Sequence, residues 1–179
     1  MKQLNLPCSV ESLIAMDRMY MDLHYGPDYR WYEVQVLLND YLDDENCDGS
    51  ISSITTIFQV LSDVTEKSAD VNVIMITHNG EDTEISVNHG FWIEDYCLND
   101  EKIELTFDEA YDKVCQVNLP KPHSKHVVLR NPIGPKPINT QYVFGNTRSQ
   151  IWVDAVTGEA VNSNPAFPAQ LAKPLGEWP

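Results

Sequence analysis

The run Val71-Asn72-Val73-Ile74-Met75-Ile76, then His78-Asn79-Gly80-Glu81, then Thr83-Glu84-Ile85-Ser86-Val87 constrains the fold of this chain more than any other feature. Asn-Gly accepts the positive φ angles that tight hairpin turns require, and β-branched residues on both sides suit a pleated surface. An antiparallel hairpin is therefore expected, with Phe91-Trp92-Ile93 extending or following its second strand.

Upstream, the spacing predicts helices. Ser9 stands as an N-cap before Val10, Leu13, Ile14, Met16, Met19, Tyr20 and Leu23, a helical stripe that Gly26-Pro27 ends. A second helix is expected from Asp28 to Leu42, with Trp31, Val34, Leu37, Leu38 and Tyr41 on one side. Ile51, Ile54, Ile57, Phe58, Leu61 and Val64 keep spacings of three and four, which favours a third helix, although the β-branched run Ser-Ile-Thr-Thr-Ile argues for a strand.

Downstream, Thr106 with Glu109 three residues on forms a capping box, and Ala110, Val114 and Val117 continue the helix. Strands are expected at 126–129, 141–144 and 150–153, with the Pro-rich link 131–137 between the first two. The sum is an α+β fold: N-terminal helices plus a β-hairpin, then a helix packed on an antiparallel sheet. It divides into an acidic helical and hairpin part (1–100), a helix-plus-strands part (101–163) and a Pro-rich tail (164–179).

The charge is lopsided. Residues 1–100 hold 19 acidic and 4 basic side chains, whereas 101–179 hold 8 of each, so the whole net charge of −15 comes from the first part. Such a field repels nucleic-acid phosphates and anionic membranes and favours cations or basic proteins. Lys2, Glu11, Asp17 and Arg18 interrupt any apolar leader, and no stretch is apolar enough to span a bilayer, so a cytoplasmic protein is expected. Cys8, Cys47, Cys97 and Cys115 form no metal or redox spacing, and the five histidines have no zinc-type neighbours. Without a phosphate loop, nucleophile elbow or His-Glu-x-x-His signature, a non-catalytic role is expected.

Asp44-Glu45-Asn46-Cys47-Asp48-Gly49-Ser50-Ile51-Ser52 resembles the start of an EF-hand loop over residues 44–55. The resemblance implies oxygen ligands at Asp44, Asn46, Asp48 and Ser52, the Ser50 carbonyl as backbone ligand, and a sharp turn at Gly49. Thr55 replaces the bidentate glutamate at position twelve, so weak calcium binding is the most this loop implies, and an acidic turn between helices is the alternative.

Leu105-Thr106-Phe107-Asp108-Glu109-Ala110, Gln141-Tyr142-Val143-Phe144 and Ile151-Trp152-Val153-Asp154-Ala155-Val156-Thr157-Gly158-Glu159-Ala160-Val161 together resemble a PepSY domain over about 103–161. That family has a helix on an antiparallel sheet and is associated with peptidase inhibition and protein binding, so the resemblance implies a binder. His89-Gly90-Phe91-Trp92-Ile93-Glu94-Asp95 echoes Ser149-Gln150-Ile151-Trp152-Val153-Asp154, by internal duplication or by chance.

The expected function is protein binding of inhibitor or adaptor type, through Asp40, Asp43, Asp44, Glu45 and Asp48 or through Trp92 and Trp152. The partner is another protein, including a basic or nucleic-acid-binding one. A DNA-mimicking or toxin-neutralising protein and a calcium-binding regulatory module are the alternatives.

Overall fold

Val34, Val36 and Leu38 are all buried, and this alternation makes 29–38 a strand. The computed structural model describes residues 8–61, 71–92, 95–98, 102–135 and 137–165. Its elements are α1 (Val10–Tyr25), β1 (Tyr29–Leu38), β2 (Ile51–Leu61), β3 (Val71–Asn79), β4 (Asp82–His89), β5 (Asp95–Tyr96), α2 (Phe107–Gln116), β6 (His126–Pro132), β7 (Gln141–Asn146), β8 (Ser149–Asp154) and β9 (Ala160–Val161). The strands form one antiparallel sheet in the order β4-β3-β2-β1-β6-β7-β8-β9, with β5 beside β6.

That order corrects the expected α+β fold. The helices expected at 28–42 and from 51 are strands β1 and β2, and the molecule is a large sheet carrying two short helices. A bulge in β1 explains the first error. Register shifts between Trp31 and Glu33, so Trp31 opposite Phe58 and Val34 opposite Thr56 share a face although they are three residues apart. A spacing of three imitates a helix.

The second error has a different cause. Ile54 and Phe58 point toward the helices, while Ile57 points to the opposite face, and all three are fully buried. Apolar residues on both faces of a strand erase the two-residue period.

The topology is a helix plus four-stranded meander used twice. α1 leads into β1–β4 and α2 leads into β6–β9, and the first strands of the two meanders pair antiparallel in the register Val34 with Leu129 and Val36 with Val127. In this scheme β8 answers to β3, so the echo between 89–95 and 149–154 does not mark equivalent places.

Both helices cover the same face. α1 packs over β2 and α2 over β8. Beneath them Val34, Val36, Phe58, Ile74, Leu129, Tyr142, Phe144 and Ile151 form one core. Phe107 of α2 lies 6.4 Å from Phe144 and 6.5 Å from Tyr142, ring centre to ring centre. Ser9 caps α1 and the capping box of Thr106 and Glu109 caps α2. The helices are also joined: a Glu11 carboxylate oxygen accepts the Phe107 amide at 2.7 Å, satisfying an orphan donor at the α2 N-terminus.

The hairpin forms as β3 and β4, turning at Gly80 with φ +63°. β4 is a sheet edge, whereas β5 pairs with β6 near the middle. Trp92, just past β4, reaches the face of β2 away from the helices. There the Trp92 amide donates to the Gln59 side chain on β2 at 2.9 Å, and Asp95 meets Arg130 on β6.

Replacing Phe144 by Ala should destabilise the fold by about 3–5 kcal/mol, because its fully buried ring fills the space beneath α2. Replacing exposed Met19 by Ala should change stability by no more than about 0.5 kcal/mol. Urea unfolding midpoints of the two variants check both values.

Candidate interaction surface

The central pair β1–β6 turns an asymmetry of sequence into one of space. α1 and β1–β4 all lie on one side of it, and this half contains the acidic residues of the described positions 8–61 and 71–89. The other half, built from α2 and β6–β9, comes from the balanced part of the chain.

The densest carboxylates sit in the loop 39–50 between β1 and β2. Its Asp43, Asp44, Glu45 and Asp48 are exposed and Asp40 is half-exposed. The loop is anchored from several directions. Leu42 is buried and its amide donates to the Ser124 carbonyl, while Tyr111 of α2 donates its hydroxyl to the Cys47 carbonyl at 2.9 Å. The His123 ring stacks on Tyr41 at 4.1 Å and holds Asp43 at 2.9 Å, and the Lys125 ammonium lies 4.8 Å from the Tyr41 ring centre. Gly49 has φ +76°, and a Cβ there would come within 2.9 Å of the Tyr111 ring, so both conformation and space require glycine.

Strands flank this loop, where the EF-hand resemblance implied helices. Its oxygens already accept local hydrogen bonds: Asp44 from the Tyr41 amide at 3.2 Å, Asp48 from the Ser50 amide at 2.9 Å, and the Ser50 carbonyl from the Asn39 amide at 2.9 Å. The Ser50 hydroxyl and amide hold the Asp48 carboxyl below its ordinary pKa. Ser52 and Thr55 lie in β2, with the Thr55 hydroxyl 2.9 Å from that of Thr77, and Asn46 is exposed at the loop tip. Among the described residues no group of three or more His, Cys, Asp or Glu side chains is arranged to hold a metal.

The tryptophans stand apart from the loop. Trp152 is buried in β8, donating its indole N–H to Gln150 at 3.1 Å, and Trp92 is half-buried at the far end of the sheet. The structure thus brings together Asp40, Asp43, Asp44, Glu45 and Asp48, and joins neither Trp92 nor Trp152 to them.

Two buried polar clusters gave no sequence signal, because their members are far apart in the chain. In the first, Asp17 of α1 meets His78 of β3 at 2.7 Å, and the other His78 ring nitrogen lies 3.0 Å from the Thr83 hydroxyl. Burial raises the Asp17 pKa, while hydrogen bonds to Thr56 and His78 and the His78 charge oppose it. The cluster pins α1 over the β3–β4 hairpin.

In the second, Glu33 of β1 and Asp95 of β5 are both buried on the face away from the helices. The Arg130 Nε donates to one Asp95 oxygen at 2.8 Å and Gln35 donates to one Glu33 oxygen at 2.7 Å. The remaining oxygen of each carboxyl is buried without a hydrogen-bond partner. Burial first, then Asp95, pushes Glu33 up to about 8 against the opposing effects of Gln35 and Arg130.

Positive charge in the acidic half is confined. Arg18 and Arg30, the basic residues among described positions 8–98, both line a cavity of about 390 Å³ with Asp22, Tyr29, Trp31 and Cys97. The carboxylates of loop 39–50 and of β4 lie elsewhere. No helix among the described residues is long and apolar enough to cross a membrane. No family model, curated protein or solved structure matches this chain.

Glu33 makes stability depend on pH in a stated direction. The unfolded glutamate titrates near its ordinary 4.5 and the folded one near 8, so between these values the folded chain holds the extra proton. Stability should fall as pH rises through that interval and level off above it. Glu33→Gln should flatten the slope in urea midpoints measured from pH 5 to 9.

Proposed function

We propose that this chain is a non-catalytic protein-binding module, of inhibitor or adaptor type, that captures a basic surface on another protein through its acidic half. One observation carries the reading: the seam between β1 and β6 segregates the charge, and the anchored loop 39–50 presents several carboxylates on a fixed backbone. Charges clustered on one side of a molecule steer a cationic partner to that side, and anchoring them beforehand lowers the ordering cost of binding. The PepSY resemblance of 103–161 adds support, since that family is associated with protein binding.

A nucleic-acid-binding protein belongs to the same partner class, because a site built for phosphates attracts carboxylates by the same field. Loop 39–50 would then occupy that site in place of phosphates. Calcium is a less economical use of the loop, given the hydrogen bonds its oxygens already accept.

Binding to a small cationic protein should weaken by roughly tenfold or more between 50 and 300 mM salt. Changing Asp40, Asp43, Asp44, Glu45 and Asp48 together to their amides should have a comparable effect at low salt. Titration calorimetry with circular dichroism of the variant checks this. Affinity unmoved by salt and by the amide substitutions, in a variant that keeps the native spectrum, would refute the reading.

A further inference from the structure

β4 pairs with β3 on one side, and no described strand pairs with its other side. The phase of the ladder shows which of its backbone groups are open. The Gly90 amide donates to the Val71 carbonyl at 2.8 Å, and counting in twos along the register places Asp82, Glu84, Ser86 and Asn88 in hydrogen-bonded pairs with β3. The N–H and C=O groups of Thr83, Ile85 and Val87 therefore point outward, away from the sheet.

The side chains alternate in step with the backbone. Ile85 opposite Ile76 and Val87 opposite Ile74 lie on the helix-bearing face, and both are exposed, at 39% and 52%. Asp82 and Glu84 lie on the other face, Glu84 opposite Thr77.

α1 lies on the same face of the sheet as Ile85 and Val87, packed over β2 and tied to β3 through Asp17 and His78. Its Glu11, Ile14 and Arg18 line a cavity with Trp31 and Leu129, so that flank looks toward β1 and β6. Met16 and Leu23 lie farther round the helix, toward solvent. Met16 and Leu23 are 54% and 80% exposed. A long open strand edge with exposed apolar side chains on one face and carboxylates on the other suits an added strand.

We propose that the β4 edge is where the partner docks, by adding an extended segment in which basic residues alternate with apolar ones. The proposal rests on the acidic-half reading and specifies how that half is used. The added strand hydrogen-bonds the outward groups of Thr83, Ile85 and Val87. Its apolar side chains pack against Ile85 and Val87, and its basic ones face Asp82 and Glu84 on the other side.

β4 has neither the proline, the lysine nor the bulge that commonly protects an edge, and its carboxylates are what keep it from promiscuous pairing. Those carboxylates also decide against a second copy as the occupant. Self-pairing would bring together the two halves that carry the net negative charge.

The probe is a capped ten-residue peptide alternating valine and lysine, with a valine–glutamate peptide as control. Amide exchange is followed by nuclear magnetic resonance alongside the affinity. The lysine peptide should slow exchange at Thr83, Ile85 and Val87 by roughly tenfold or more, and the glutamate peptide should not. Val87→Pro removes an outward donor without touching the β3 ladder, and it should weaken the peptide by roughly tenfold while Glu84 and Ser86 keep their protection.

If the lysine peptide binds wild type and Val87→Pro equally, with those three amides still exchanging freely, the edge is not the dock. Capture of a small cationic protein without any binding of the peptide would likewise exclude the edge, and in both cases the acidic-half reading survives. Failure of peptide and cationic protein alike would remove both. Protection of the three amides that grows with protein concentration and needs no peptide would assign the edge to a second copy and overturn the proposal.

Discussion

The pairing of β1 with β6 is the contact on which the rest of the molecule depends. Five antiparallel residue pairs, from Glu33 with Arg130 to Leu37 with His126, fuse two helix-plus-meander units into one sheet. The same pairs place Val34 and Val36 against Leu129 and Val127 at the centre of the core. Each unit alone would expose that seam to water. Burial of fully apolar side chains, at about 1.5–3 kcal/mol each, is what makes the joined sheet the stable arrangement.

The seam also sets the electrostatics. Because no strand changes sides after the first meander apart from short β5, the charge difference along the chain is kept as a difference between halves. Loop 39–50 closes over this boundary: its carboxylates belong to the acidic half, but Tyr111, His123 and Lys125 of the neutral half anchor it. The Glu33, Asp95 and Arg130 cluster bridges the halves at the other end of the seam, where burial and the Asp95 carboxyl hold Glu33 above its ordinary pKa. An apolar cluster would hold the strands as well, so the pH response of this end is a property of its chemistry and not a requirement of the fold.

An open sheet that runs from β4 to β9 leaves two edges, and they are unlike. β9 is two residues long, whereas β4 runs for eight and is exposed along nearly all of its length. The long open edge lies in the acidic half, so backbone groups available for pairing and a field that selects cationic partners occur on the same part of the surface. The buried Asp17 and His78 pair ties α1 to β3, one strand in from that edge.

Local chemistry was sufficient for part of this structure. The Asn79-Gly80 turn, the Ser9 and Thr106 caps, and the strands beginning at His126, Gln141 and Ser149 follow from turn geometry, orphan helix donors and two-residue alternation, all of which act within a few residues. The carboxylates of loop 39–50 and the charge imbalance were likewise readable in order along the chain. β1 and β2 were not, because the bulge at Tyr32 and the burial of Ile57 on the second face gave helical spacings to residues that only the assembled sheet places. Nor were the pairing of Glu33 with Asp95, of Asp17 with His78, or the open edge of β4, since each depends on which distant strands become neighbours. The sequence by itself determined the turns, the caps and the sign of the charge, which are short-range or additive. Tertiary structure decided the strand order, because burial on both faces of a sheet is settled only when all of its covering elements are in place.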